Sequence, residues 1–108
     1  RAHVDQRFEG MHPVHTNNNA CLTVFGLSLG RGDFTKTISI TVAMGLDNDC
    51  TAATAGSILG AILGFRNLPP HWWKPFRGKM RTYLKGHQEL SVSDLVTRFL
   101  RCAEHLAK

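Results

Sequence analysis

The chain has 108 residues, 43% of them hydrophobic, enough for one domain with a small core. It lacks an apolar run of about 18 residues, so no membrane-spanning helix is expected, and nothing near its start has the basic, apolar and small-residue layout of a secretory signal. The net charge of +5 is lopsided: residues 1–73 carry five basic and five acidic side chains, whereas residues 74–108 carry eight basic and three acidic ones, which either draws a phosphate-bearing partner or forms a solvated basic face.

The first residue is Arg1 rather than Met, so a processed or trimmed product, or a fragment of something longer, is expected. Residues 1–16 hold three histidines and a proline with little periodicity and read as an irregular lead-in. Residues 18–29, N-N-A-C-L-T-V-F-G-L-S-L, place Leu22, Phe25 and Leu29 on one helical face, and Gly30 and Gly32 end that helix. Asp33 is a good N-cap for the next helix, whose Phe34, Ile38 and Val42 are spaced by four. The run T-I-S-I-T-V also alternates as a strand would, but the cap and the spacing together favour helix.

Residues 51–64, T-A-A-T-A-G-S-I-L-G-A-I-L-G, are uncharged all round and read as a central helix buried on most sides. Ala52, Gly56, Gly60 and Gly64 repeat every four residues, a stripe that lets another backbone approach closely. Each glycine costs about 1 kcal/mol against alanine in a helix interior, so tight helix contact is the expected compensation. Residues 65–75, with Pro69, Pro70, Trp72, Trp73 and Pro75, form a turn with aromatic anchors. Residues 76–90 are basic and fit either a short helix or a fold-back segment. Ser91 with Asp94 makes a capping box, and a helix then runs to about residue 106 with Leu95, Phe99, Cys102 and Leu106 on its apolar face. The coarse expectation is an all-α protein, a bundle of helices in a single helical unit over 1–108.

The three cysteines, Cys21, Cys50 and Cys102, are widely spaced and form no C-x-x-C. Reduced thiols in a cytoplasmic protein are the expectation.

Two aspartates, Asp47 and Asp49, stand at the entrance of the central apolar helix in the stretch G-L-D-N-D-C-T-A-A-T-A-G. One reading is structural: Asp49 caps the helix and Asp47 favours the positive end of its dipole. The other is a hard-cation site, because carboxylates two apart in an irregular segment converge on Mg²⁺ or Ca²⁺. An EF-hand is excluded, since its sixth and twelfth positions would be Ala52 and Ile58 rather than glycine and glutamate. Two carboxylates alone hold a divalent ion weakly, so further oxygens are needed.

The stretch G-L-D-N-D-C-T-A-A-T-A-G-S-I-L-G-A-I-L-G, residues 45–64, resembles the C-terminal signature of the ADP-ribosylglycohydrolase family, which includes the dinitrogenase reductase-activating glycohydrolases. That signature is Gly-x-Asp-x-Asp-Thr/Cys followed by a small-residue helix. H-P-V-H-T-N-N-N-A (12–20), G-D-F-T-K-T-I (32–38), N-L-P-P-H-W-W (67–73) and L-S-V-S-D-L (90–95) resemble flanking segments of the family in the same order. The resemblance implies the C-terminal part of an all-α fold about three times this size. It implies hydrolysis of the bond between ADP-ribose and a modified side chain or related ADP-ribosyl group. It also implies a pair of divalent ions, usually Mg²⁺, held between an N-terminal Thr-Asp-Asp cluster and the C-terminal Asp-x-Asp-Thr. The ions orient the ADP-ribose and its reactive sugar and position water, and an acidic residue from the N-terminal part assists.

Carried over by position, Asp47 and Asp49 match the two C-terminal metal carboxylates. Cys50 falls where many members have a ligating threonine; a thiol is a poor partner for Mg²⁺, and Thr51 next to it is a further hydroxyl. This chain has no Thr-Asp-Asp cluster, so the missing ligands belong to the absent N-terminal part of the same fold, and the isolated chain is expected to be inactive.

His12 and His15 read as loop or capping residues rather than ligands, and Asn17, Asn18 and Asn19 as helix caps rather than ribose contacts. Trp72 and Trp73 read as anchors of their turn before they read as a stacking platform for adenine. Cys50, near a helix N-terminus, is also a candidate for a depressed pKa. The alternative function is a non-catalytic module that binds ADP-ribose or a nucleotide, or serves as scaffold. Basic and aromatic residues do not interleave as they do in nucleic-acid-binding modules, so nucleic acid is not expected as a partner.

Overall fold

The computed structural model describes residues 2–107, and they form an all-α protein with one small hairpin. The α-helices are α1 (Ala2–Arg7), α2 (Thr16–Gly30), α3 (Phe34–Ala43), α4 (Asn48–Leu63) and α5 (Val92–Leu106). The strands β1 (Lys79–Arg81) and β2 (Glu89–Ser91) pair antiparallel, with Met80 opposite Leu90. No described helix is long and apolar enough to cross a membrane. Two compact units divide the chain, one up to Pro69 and one from Pro70 onward.

The first unit is a three-helix arrangement in which α3 packs on both α2 and α4, and α2 on α4. Its apolar core is small: Leu22, Ala52, Ala55 and Leu59. Thr23, Thr37, Thr41 and Thr51 are buried with them. The expected face of α2 is therefore corrected. Leu22 is fully buried, but Leu29 is 53% exposed, and the buried stripe is Asn18, Leu22, Thr23, Gly26 and Gly30. The reason is steric. A Cβ on Gly26 would overlap Thr41 Oγ1, and one on Gly30 would overlap Thr37 Oγ1 and lie 2.8 Å from the Thr37 Cα. The two helices touch where glycine meets threonine, so the threonine face of α3 turns inward while Val42 stays exposed. Thr41 Oγ1 meets its own requirement by donating to the Thr37 carbonyl at 2.7 Å.

Asp33 caps α3 as expected, accepting from the Lys36 amide at 2.7 Å. The helix assignment for T-I-S-I-T-V holds. The central helix α4 differs from its expectation: one stripe, Thr51, Ala52, Ala55 and Leu59, is buried, whereas Ile58 and Ile62 lie exposed. The small-residue stripe receives side chains rather than a backbone. Ile38 Cδ1 would lie 2.9 Å from a Cβ on Gly56, and Phe34 Cε2 3.8 Å from one on Gly60. The second distance is ordinary van der Waals contact, so Gly60→Ala should stabilise the fold by up to about 1 kcal/mol through helix propensity. Urea denaturation would check this; a lower midpoint in the variant would refute the unstrained contact at Gly60.

In the second unit, Pro70–Trp72 and Lys74–Phe76 form short 3-10 turns, and the basic segment beyond them folds back as the β1–β2 hairpin. Lys79 Nζ lies 2.7 Å from Glu89 Oε1 across the hairpin, an exposed pair of small energetic weight. Ser91 caps α5, its Oγ accepting from the Asp94 amide at 3.3 Å. Phe99 and Leu106, on the apolar face read from the sequence, are exposed. The lead-in is not wholly irregular, since α1 occupies Ala2–Arg7; Arg1 lies outside the described residues.

Candidate metal centre

The acidic pair is presented by a reversed chain between α3 and α4. Gly45 and Leu46 both adopt left-handed backbone conformations, with φ of 72° and 59°. Glycine does so freely; a leucine there costs about 1–2 kcal/mol. The Gly45 amide donates to the Val42 carbonyl at 3.1 Å, and Asn48 Nδ2 donates to the same carbonyl at 3.2 Å. These bonds fasten the start of α4 to the end of α3.

Asp47 occupies the N-cap position of α4, and Asp49 lies in the first turn. The cap position expected of Asp49 thus falls to Asp47, which stays at the positive end of the helix as expected. The Asp47 side chain makes no capping hydrogen bond to the helix. It instead accepts from Asn19 Nδ2 on α2 at 2.5 Å, across 28 residues of sequence. Asp47 is half-buried, whereas Asp49 and Cys50 are exposed. One potential ligand atom from each of Asp47, Asp49 and Cys50 lies within 4.8 Å of the others, and neither His12 nor His15 belongs to this group.

Thr51 stands directly beneath. It is 1% exposed, and its hydroxyl lies in donating range of the Asp47 and Asn48 carbonyls, at 3.2 and 3.4 Å. It therefore braces the first turn from inside. Cys50 behaves opposite to the expectation for a thiol at a helix N-terminus. Its pKa is raised, first by the hydrogen bond to Asp47, then by the negative charges of Asp47 and Asp49. Two carboxylates beside an exposed thiol outweigh the helix end. Asp47→Asn should therefore speed alkylation of Cys50 by iodoacetamide at mildly alkaline pH, because more of the thiol is then ionised. Peptide mapping of the labelled protein reads the rate, and an unchanged rate would deny the Asp47–Cys50 contact.

Sequence reasoning missed Asn19. The helix-capping role assigned to the asparagines falls to His15, whose Nδ1 accepts from the Asn17 amide at 3.2 Å. Asn18 is 3% exposed and its Nδ2 donates to the His12 carbonyl at 3.3 Å. The Oδ1 atoms of both Asn18 and Asn19 are buried without a hydrogen-bond partner. Only one local sign pointed to Asn19: three asparagines in a row at a helix start exceed what one cap requires.

The donor set suits a divalent cation in part. Two converging carboxylates are hard ligands of the type Mg²⁺ takes, and the buried, unpartnered Oδ1 of Asn19 belongs to the amide that holds one of them. Sulfur is the soft exception.

Residues 4–104 match the family model described as ADP-ribosylglycohydrolase. No curated protein and no solved structure matches the chain.

Proposed function

The chain belongs to the ADP-ribosylglycohydrolase family, and from that membership we propose that it supplies the C-terminal half of a Mg²⁺-dependent site for removing ADP-ribose from a modified target or ADP-ribosyl conjugate. The observation that carries this reading is the state of Asp47. It sits where an aspartate ordinarily caps a helix, yet its carboxylate is turned to Asn19 and lies grouped with Asp49 and Cys50.

Asp47 and Asp49 are the carboxylates that would hold the cation. Cys50 adjoins them with its Sγ in the same group, and Thr51 fixes the turn that presents them. Bound Mg²⁺ would orient the anionic diphosphate and ribose of the substrate and polarise a water. The chain's own residues gather negative charge at one wet rim, next to a buried helix turn that holds them in place. Two carboxylates leave a six-coordinate ion short of oxygens, so the remaining donors come from a Thr-Asp-Asp cluster outside these residues. Two ions per complete site, an inactive isolated chain and a cytoplasmic setting are parts of the same proposal.

The test has two arms. Calorimetry of this chain with Mg²⁺ should give an affinity no tighter than about millimolar, lost in Asp47→Asn. Micromolar binding by the chain alone would overturn the divided site. In a protein that joins this chain to a Thr-Asp-Asp-bearing segment, release of ADP-ribose from a modified peptide should require Mg²⁺. Binding of ADP-ribose without release would favour the non-catalytic module instead.

A further inference from the structure

Resting on the cation reading above, we propose that Asn19 is a positioning residue of the acid pair: through its amide nitrogen it fixes Asp47 in the orientation that receives a divalent cation. The argument begins with the direction of the amide. Asn19 Nδ2 donates to Asp47 Oδ2 at 2.5 Å, in a part-buried setting. An asparagine amide can be turned over so that oxygen and nitrogen exchange places. Here the turn is forbidden, since two oxygens would then face each other across a carboxylate. Asp47 therefore dictates how the amide points.

The consequence is borne by the other end of the same group. Asn19 Oδ1 is buried and has no partner. Burying an acceptor without a donor is unfavourable, and a purely architectural tie between α2 and α4 gains nothing from it. The arrangement gains a purpose if a donor arrives with the cation. Mg²⁺ keeps several of its waters when bound by one or two carboxylates, and such waters are strong donors. The amide nitrogen holds the carboxylate, and the amide oxygen stays without a donor until one is supplied.

The support under Asn19 is rigid. Its neighbours Asn18, Leu22 and Thr23 are buried, and α2 is packed at Gly26 and Gly30 directly against threonines of α3. A supporting group on a packed helix holds a ligand in place better than one on a loop. Asp47 lies after two left-handed residues in an irregular turn, so it needs that external hold.

Mn²⁺ is the probe, read by paramagnetic broadening of the backbone amide signals of residues 47–51 in the full chain. Asn19→Leu keeps the approximate shape and removes both polar atoms. We expect Mn²⁺ affinity to fall by about 10–100-fold in Asn19→Leu, the usual effect of losing a group that orients a metal ligand. The thermal midpoint without metal should fall only modestly, because losing the unpartnered oxygen partly offsets losing the hydrogen bond. Asn19→Ser, too short to span to Asp47, is the second variant should Asn19→Leu fail to fold, with the same weakening expected. Unchanged Mn²⁺ affinity in a folded variant overturns the role of Asn19 and leaves the cation site standing. Weakening that only tracks a lowered thermal midpoint also overturns it. Absence of broadening at residues 47–51 in the unmutated chain at millimolar Mn²⁺ overturns the cation reading itself, and this inference with it.

Discussion

Gly30→Ala should lower the stability of the first unit by about 3 kcal/mol, the upper end of what overpacking costs. The added methyl group would lie 2.8 Å from both the Cα and the Cβ of Thr37, and would overlap Thr37 Oγ1. A backbone atom cannot rotate away as a side chain can, so the helices must separate or α2 must fray. Gly26→Ala meets a softer obstacle, since its closest conflict is the Thr41 hydroxyl, with Thr41 Cβ at 3.1 Å. The pair of sites supplies an internal control. Thr41→Ala should rescue most of the loss in Gly26→Ala by removing the hydroxyl. Thr37→Ala should rescue little in Gly30→Ala, because the Cα and Cβ remain. Guanidinium unfolding of the four variants reads both comparisons, and equal rescue at the two sites would show that the helices are farther apart than described.

Asp47→Asn should abolish divalent-cation binding by this chain, a fall on the order of 100-fold or more, since it removes a ligand charge and not merely its support. It should also weaken the fold. The Asn19 bond is charge-assisted and part-buried, and the substitution keeps an acceptor oxygen for it but removes the charge, for about 1 kcal/mol. Asp49→Asn separates the two effects. Asp49 is exposed and in the first turn, so its loss should impair cation binding as strongly while leaving stability within about 0.5 kcal/mol. Calorimetry with Mg²⁺ and thermal unfolding, run on the same two variants, decide the matter. A destabilised Asp49→Asn beside an unaffected Asp47→Asn would reverse the roles assigned here.

Much of the helical outline could be read from local chemistry. Asp33 and Ser91 announced the starts of α3 and α5 because capping depends on a few adjacent residues. The acidic pair was legible for the same reason: residues two apart at a helix entrance have little choice but to lie near each other. The buried faces of α2 and α3 were not legible. Hydropathy favoured Phe25, Leu29 and Val42, whereas the helices chose the faces on which glycine and threonine allow the closest approach. Steric fit between two helices is invisible to a pattern taken from either one. Asn19 escaped for a related reason, because its partner lies 28 residues away and neither local sequence names the other. The β1–β2 hairpin was one of two open alternatives. Its flanking Gly78 and Gly86, both at positive φ, supplied turns where helix spacing gave no decision.

The same helix that carries the amide beside Asp47 is clamped farther along by its two glycine contacts. Gly30 follows Asn19 by eleven residues, which in an α-helix is about 16 Å of axial length. Helix α2 thus behaves as a ruler with one end fixed and the other measuring out where a hydrogen bond falls. A tenth of that length in slippage would carry Asn19 Nδ2 out of reach of its carboxylate. Residues that never approach the acid pair therefore set its geometry from a distance, and a bulky change at the clamped end would detune it while leaving every one of its side chains in place.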